Sequence, residues 1–235
     1  MRLTAQHLRL VHRDIDDPGP IPGYAAMEDA DYGELTDRVL AERPPGPIAI
    51  FSYGSLIWRP VFAPRASLRA TAPGWQRRFC LHLLRWRGTR EEPGLMMQID
   101  RGGVCAGILQ YVAPGEEAAT LDLLWRREMS IKPPSNLPRW IEVETSEGPR
   151  RAIAFTANRE SPFYVGDLGT DETVRRLSRA CGHLGSGAEY LYETVTALIG
   201  HGIEDAYLWN LQELVARAIE ARYPDALAQG TDAAY

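Results

Sequence analysis

Between Pro47 and Phe155 the chain is cut into apolar runs of strand length, each closed by glycine, proline or small polar residues. Residues 48–53 form a continuous apolar run, and residues 75–84 alternate, with Phe79, Leu81 and Leu83 on one face. Runs at 95–99 and 104–112 are joined by Asp100-Arg101-Gly102-Gly103, which reads as a hairpin turn. A further pair, 140–144 and 151–156, is joined through Ser146-Glu147-Gly148. So many short strands in succession imply a small barrel or a strongly curved sheet. Helical patterns follow one interposed helix at Glu116–Met129, covering about 171–181, 188–199 and 204–223, the last stopped by Pro224. Its Leu208, Leu211, Val215 and Ile219 make an apolar face suited to packing on a sheet. Strands first and helices last give an α+β class.

The domain is expected over residues 47–223, with 1–46 as an N-terminal extension and 224–235 as a tail. Residues 1–24 are polar, with a Pro/Gly cluster at Pro18–Gly23, and read as an arm. Residues 28–42 have a short helical pattern with Leu35, Val39 and Leu40 as its apolar edge, closed by Pro44-Pro45.

With 235 residues, 45% of them hydrophobic, the chain can bury a core without staples. The net charge of -5 argues against nucleic acid as a partner. Arg77-Arg78, Arg85–Arg90, Arg126-Arg127 and Arg150-Arg151 read as solvated faces, or as grips for an acidic small molecule. Cys80, Cys105 and Cys181 are odd in number and widely spaced, so they read as buried reduced thiols. The N-terminus lacks the apolar stretch of a signal peptide, and no run approaches a membrane span. A cytoplasmic protein without membrane association is expected. His7, His12, His82, His183 and His201 show no metal-ligand spacing.

Two features carry chemistry. Glu128 follows Leu121, Leu124 and Trp125 at intervals of seven, four and three residues, so its carboxylate continues the core-facing stripe of its helix. Apolar surroundings disfavour the charged form and raise a carboxyl pKa, as a general base or acid near neutrality requires. An ion pair at the helix end, with Arg127 or Arg85, fits the same pattern. The second feature is the apolar run that breaks at Tyr53-Gly54-Ser55-Leu56. A turn there can aim free N–H groups at an anion or a carbonyl oxygen, and it can equally be a strand-ending bulge. Ser55 as a nucleophile is the weaker reading, since the stretch is not G-x-S-x-G and no histidine is placed beside it. Gly182–Gly187 reads as a helix-to-helix loop rather than a phosphate cradle, because it lacks the lysine of such cradles. Tyr190, which follows it, either packs or lends a hydroxyl to a pocket.

The segments FSYGSLIW, WRGTREEPG (86–94), LWRREM (124–129) and AEYL (188–191) occur in one chain in this order. Together they closely resemble the ChaC-like, glutathione-specific γ-glutamylcyclotransferases, over roughly residues 47–223. The resemblance implies a small mixed β-barrel flanked by helices, with no metal or organic cofactor. It implies cleavage of glutathione to 5-oxoproline and cysteinylglycine, with Glu128 as the catalytic carboxylate. It assigns Ile50, Phe51, Ser52, Tyr53, Gly54, Ser55 and Leu56 to binding the γ-glutamyl moiety, and it associates Arg87 and Tyr190 with the substrate pocket. Residues 129–140 depart from the glycine- and tyrosine-containing loop frequent in the family, and Ser52 replaces a common glycine or alanine. The departure leaves open another γ-glutamyl amide or γ-glutamylamine as substrate, and a non-catalytic small-molecule binding module on the same fold.

Overall fold

The computed structural model of the chain describes residues 1–228, and the rest of the expected tail, 229–235, lies outside them. The chain divides into two compact units. A helical unit comprises Met1–Gly19, Phe79–Met96 and the residues from Val165 on, and a barrel unit comprises Pro20–Arg78 and Met97–Tyr164.

Helix α1 (Ala5–Val11) opens the helical unit. In the barrel unit, β1 (Ala25–Ala26) and α2 (Asp29–Ala41) precede β2 (Ala49–Ser52), α3 (Ser55–Trp58), β3 (Ala66–Leu83) and β4 (Gly94–Tyr111). Then come α4 (Glu117–Glu128), β5 (Ile131–Lys132), β6 (Asn136–Thr145) and β7 (Gly148–Ala157). Strands in the order β2-β4-β3-β6-β7 close into a barrel, so the expected small mixed barrel of an α+β protein is present. The ends of β3 and β4, from Phe79 and up to Met96, are counted with the helical unit.

Every residue of β2 is buried: β4 and β7 pair its two edges, with Ile50 opposite Gln110 and Ile153, one face packs under α4, and the other faces the barrel interior. A strand covered on both faces reads as an unbroken apolar run, which is how it appears in the sequence. Strand β4 contains the expected hairpin turn. Ile99 runs parallel to β7, whereas Tyr111 pairs antiparallel with β2, itself parallel to β7, so the two arms of β4 run in opposite directions. Gly102 (φ 118°) and Gly103 (φ 60°) supply the two left-handed residues between them. A second glycine need lies at Gly107, where a Cβ would stand 2.5 Å from the Ser52 carbonyl oxygen and 2.8 Å from the Phe51 ring.

The stripe Leu121, Leu124 and Trp125 of α4 packs on Ile48, Ile50, Ile153 and Phe155 of the barrel, with Trp125 edge-on to Phe155 at 5.6 Å. Tyr32, Leu35 and Val39 of α2 join the same core. The segment expected to be an extension beside the domain therefore supplies part of its core. Each buried leucine or valine contributes about 1.5–3 kcal/mol. Each neutral hydrogen bond, such as Trp125 Nε1–H to Thr36 Oγ1 at 2.9 Å, contributes about 1 kcal/mol. Apolar burial thus holds α2 in place, and the polar contacts set its register.

The helical unit continues with α5 (Gly169–Leu177), β8 (Cys181–Gly182), β9 (Gly185–Ser186), α6 (Gly187–Gly200), α7 (Ala206–Arg222) and α8 (Pro224–Ala228). Strands β8 and β9 make a miniature hairpin inside the segment read as a plain loop. The apolar face of α7 was expected to meet a sheet, but α7 packs against α1, α5 and α6. Residues 1–19 are correspondingly not a free arm. Leu3 and Val11 are buried, Gln212 Oε1 accepts from the Leu3 N–H at 2.9 Å, and Arg2 pairs with Glu220 at 2.6 Å. Cys80, Cys105 and Cys181 are buried and form no disulfide among the described residues. No helix of the described residues is long and apolar enough to cross a membrane.

Replacing Gly107 with alanine forces backbone and a packed ring apart. The expected result is a loss of about 1–3 kcal/mol in stability, read from urea unfolding midpoints at unchanged slope.

Candidate active site

Strand β2 delivers Ile50, Phe51 and Ser52 into the barrel wall with 1% exposure or less, and Tyr53 leaves it 7% exposed. The Ser52 hydroxyl donates to Gln110 Oε1 at 2.5 Å. The Tyr53 hydroxyl shares its proton between the Phe155 carbonyl at 2.6 Å and Gln98 Oε1 at 2.5 Å. Gly54 then caps the single turn α3, whose bonds run from Ile57 N to Gly54 O (2.9 Å) and from Arg59 N to Ser55 O (2.7 Å). The first-turn N–H groups of Ser55 and Leu56 have no acceptor inside such a helix. The break in the apolar run is therefore a strand exit followed at once by a helix start.

A buried guanidinium stands behind that exit. Arg77, 4% exposed, donates through Nε to the Tyr53 carbonyl at 2.8 Å and through Nη2 to the Ala106 carbonyl at 2.5 Å. The Arg77-Arg78 pair had read as a solvated face. Arg77 is instead interior, with backbone carbonyls taking its donors.

Glu128 ends α4, as the stripe requires, and its side chain is 17% exposed. Burial pushes its carboxyl above the usual range, and the neighbouring Arg127 charge offsets part of that rise. Arg127 Nε lies 3.2 Å from Glu128 Oε1. The same guanidinium donates from Nη2 to Ser55 Oγ at 3.1 Å and from Nη1 to the Arg59 carbonyl. Arg127 therefore joins the carboxylate of α4 to both ends of α3. Both sequence readings of Glu128 hold together: it is a desolvated carboxyl, and it has an ion-pair partner. Arg85, the other partner considered, pairs with Asp17 at 2.6 Å. Ser55 Oγ accepts from the Arg127 guanidinium, a hydrogen bond that leaves its nucleophilic reading without added support.

The backbone around Glu128 is held by side chains. Asn136 Nδ2 donates to the Glu128 carbonyl at 3.1 Å, and the Tyr32 hydroxyl donates to the Met129 carbonyl at 2.8 Å. Lys132 pairs with Asp31 at 2.7 Å, and β1 pairs with β5, so α2 and β1 brace the segment that departs from the family pattern.

Arg87 and Tyr190 belong to the helical unit and pair with each other, the guanidinium carbon 5.7 Å from the ring centroid. Arg87 Nη1 donates to Glu189 Oε2 at 2.6 Å and to the Ser186 carbonyl at 2.9 Å. The glycines of the RG and PG pairs have a steric reason. A Cβ on Gly88 would lie 2.2 Å from Gly94 N, and one on Gly94 would lie 2.4 Å from the Arg87 carbonyl oxygen.

The sequence profile of the family described as ChaC-like protein matches residues 48–218. The chain belongs to the ChaC-like family. A glutathione-specific γ-glutamylcyclotransferase of Escherichia coli K12 is 35% identical to this family member over 188 residues, 79% of this chain and 80% of that protein. Its human relative, glutathione-specific γ-glutamylcyclotransferase 1, is 26% identical over 77% of this chain and 83% of its own. The crystal structure of a yeast γ-glutamyl cyclotransferase specific to glutathione shares the fold, with a TM-score of 0.65 at 21% identity. That match covers 72% of this chain and 96% of the yeast one.

Of the two ion-pair partners that the sequence allowed for Glu128, Arg127 is the one that meets it, and its signal was its place beside Glu128 in the RRE run. A carboxyl whose folded pKa is raised contributes stability that is fully present below its unfolded pKa and lost as pH rises through the folded value. Glu128→Gln removes that loss, so its Tm is expected to equal or exceed the native one at pH 7, and to lose the advantage in acid. Tyr32→Phe should cost about 1 kcal/mol, seen in the same melts.

Proposed function

We propose that this chain is a γ-glutamylcyclotransferase that cleaves glutathione to 5-oxoproline and cysteinylglycine, with Glu128 as general base and acid. The observation that carries the proposal is the link from buried Glu128 through Arg127 to Ser55, which sets a desolvated carboxylate beside the turn that follows β2. Family membership and the activities of the relatives support the same reaction.

The substrate carries its own nucleophile, an α-amine that is mostly ammonium at neutral pH. Glu128, its basicity raised by burial, takes one ammonium proton. The freed amine attacks the γ-glutamyl carbonyl carbon, a C–N bond forms, and a five-membered ring closes. Because the attack is intramolecular, the site needs chiefly to fold the substrate into reach. Negative charge builds on the carbonyl oxygen as the ring closes, and the first-turn N–H groups of Ser55 and Leu56 are suited to stabilise it. The original amide C–N bond then breaks. Glu128 returns its proton to the departing nitrogen as that bond breaks. The ring nitrogen gives up its second proton to the released amine, which leaves as the ammonium of cysteinylglycine, and no enzyme nucleophile is consumed.

Ile50–Leu56 form the binding segment in this proposal. Arg87 and Tyr190 enter it through the family resemblance, while their own contacts support a packing role within the helical unit. A second substrate, another γ-glutamyl amide or γ-glutamylamine, is favoured by the changed segment after Glu128. Comparison of kcat/KM across γ-glutamyl compounds decides between them.

Incubation with glutathione should release 5-oxoproline and cysteinylglycine in equal amounts. Glu128→Gln should lower turnover by about 10²–10⁴-fold with the fold intact, and full activity in that variant would sink the assigned role. The kcat/KM profile should fall on the acid side through a pKa above the ordinary glutamate value of about 4.3. Arg127→Met removes the charge that lowers this pKa, so the acid limb should move to higher pH.

A further inference from the structure

Asn136 is 3% exposed and stands at the first position of β6, inside the segment that departs from the family pattern. Its amide orientation is set by a neighbour. Nδ2 donates to the Glu128 carbonyl at 3.1 Å, and turning the amide over would set two oxygens against each other. Oδ1 is consequently an acceptor, it is buried, and it has no hydrogen-bond partner among the described residues. Leaving a buried polar atom unpaired forfeits its hydration without replacement, and such atoms in native proteins call for an explanation. The other orphaned polar atoms, His82 Nε2, Arg176 Nη1 and His183 Nδ1, are nitrogens of the helical unit. Among these atoms Asn136 Oδ1 is the oxygen, an acceptor whatever the protonation state, and it is tethered to the residue assigned as the base.

The missing partner must be a donor. On the cyclotransferase reading, which this inference rests on, the group that comes to Glu128 is an ammonium with three N–H donors. One of them is given up as a proton, and the others need acceptors if the amine is to stay aimed at the γ-carbonyl. We propose that Asn136 is a substrate-binding residue, its Oδ1 accepting a hydrogen bond from the α-ammonium of a γ-glutamyl substrate while Glu128 removes the proton. The residue thereby selects for a free α-amine. It takes over, within the altered segment, part of the binding that the family's usual loop would supply.

The test separates the acceptor from the Nδ2 tether. Asn136→Leu removes both functions, Asn136→Ser removes the amide at smaller volume, and Asn136→Asp keeps an acceptor while losing the tether. Binding is measured by calorimetry in a Glu128→Gln background, with glutathione and with its deamino counterpart, glutaryl-cysteinylglycine, and steady-state kinetics are run on Glu128-containing enzyme. The expected result is about tenfold weaker glutathione binding in the Leu and Ser variants, with the deamino compound unchanged. The Asp variant should keep most of the preference for the free amine, and KM should rise more than kcat falls in Asn136→Ser. Equal losses for both ligands, or an Asp variant as impaired as the Leu one, would overturn the proposal and leave Asn136 as a tether for α4. Should the Leu variant fail to fold, the Ser and Asp variants decide alone. Absence of turnover of every γ-glutamyl compound by the native protein would overturn the cyclotransferase reading itself. Turnover with unchanged amine preference in the variants would overturn only the role of Asn136.

Discussion

The Arg127 guanidinium sits between a carboxylate that burial would neutralise and a turn that has hydroxyl and carbonyl oxygens to offer. Two opposing effects meet on Glu128. Desolvation favours its protonated form, while the adjacent positive charge favours the ionised one, and desolvation is the larger. A fully matched ion pair would hold the carboxylate ionised and weakly basic, and burial without a partner would keep it protonated. The intermediate arrangement suits a group that must gain and lose a proton in one catalytic cycle. Because the same guanidinium grips α3 at both ends, the position of the Glu128 carboxylate and the shape of the turn after β2 are one structural fact.

That arrangement depends on a helix end that does not fray. The last carbonyls of a helix have no internal partners, and here side chains from outside the helix take two of them: Tyr32 at Met129 and Asn136 at Glu128. Tyr32 lies nearly a hundred residues upstream of the carbonyl it binds, on a helix whose apolar edge is buried in the same core as Leu121, Leu124 and Trp125. The N-terminal segment is thus part of the barrel unit in the physical sense that removing it would expose one side of α4.

Much of this was legible in the sequence because it follows from periodicity. The stripe through Leu121, Leu124, Trp125 and Glu128 put the carboxyl at the end of a core-facing helix, and that is where it stands. The buried strand Ala49–Ser52 and the left-handed glycines Gly102 and Gly103 were equally plain. The arginines were legible only in part. Arg127, one of the two partners the pattern allowed for Glu128, stands about 100° around the helix from it, and its long side chain returns to the carboxylate. Arg77 looked like half of a solvated pair, and it is buried against the carbonyls of Tyr53 and Ala106. Residues 1–19 looked polar and free, yet their few apolar side chains, Leu3 and Val11, are buried in the helical unit.

Local pattern alone thus determined most of the barrel strands and the longer helices, the α+β class, the place of Glu128 on its helix and the break after Tyr53. These are set by neighbours within a turn of helix or a strand's alternation, where side-chain direction follows directly from residue spacing. Tertiary structure alone decided which cation meets Glu128, what holds the two carbonyls after α4, and that Asn136 has a buried acceptor to spare. Those outcomes depend on long side chains with many rotamers and on contacts between segments far apart in the chain. Spacing along the sequence leaves such contacts open until the barrel has closed.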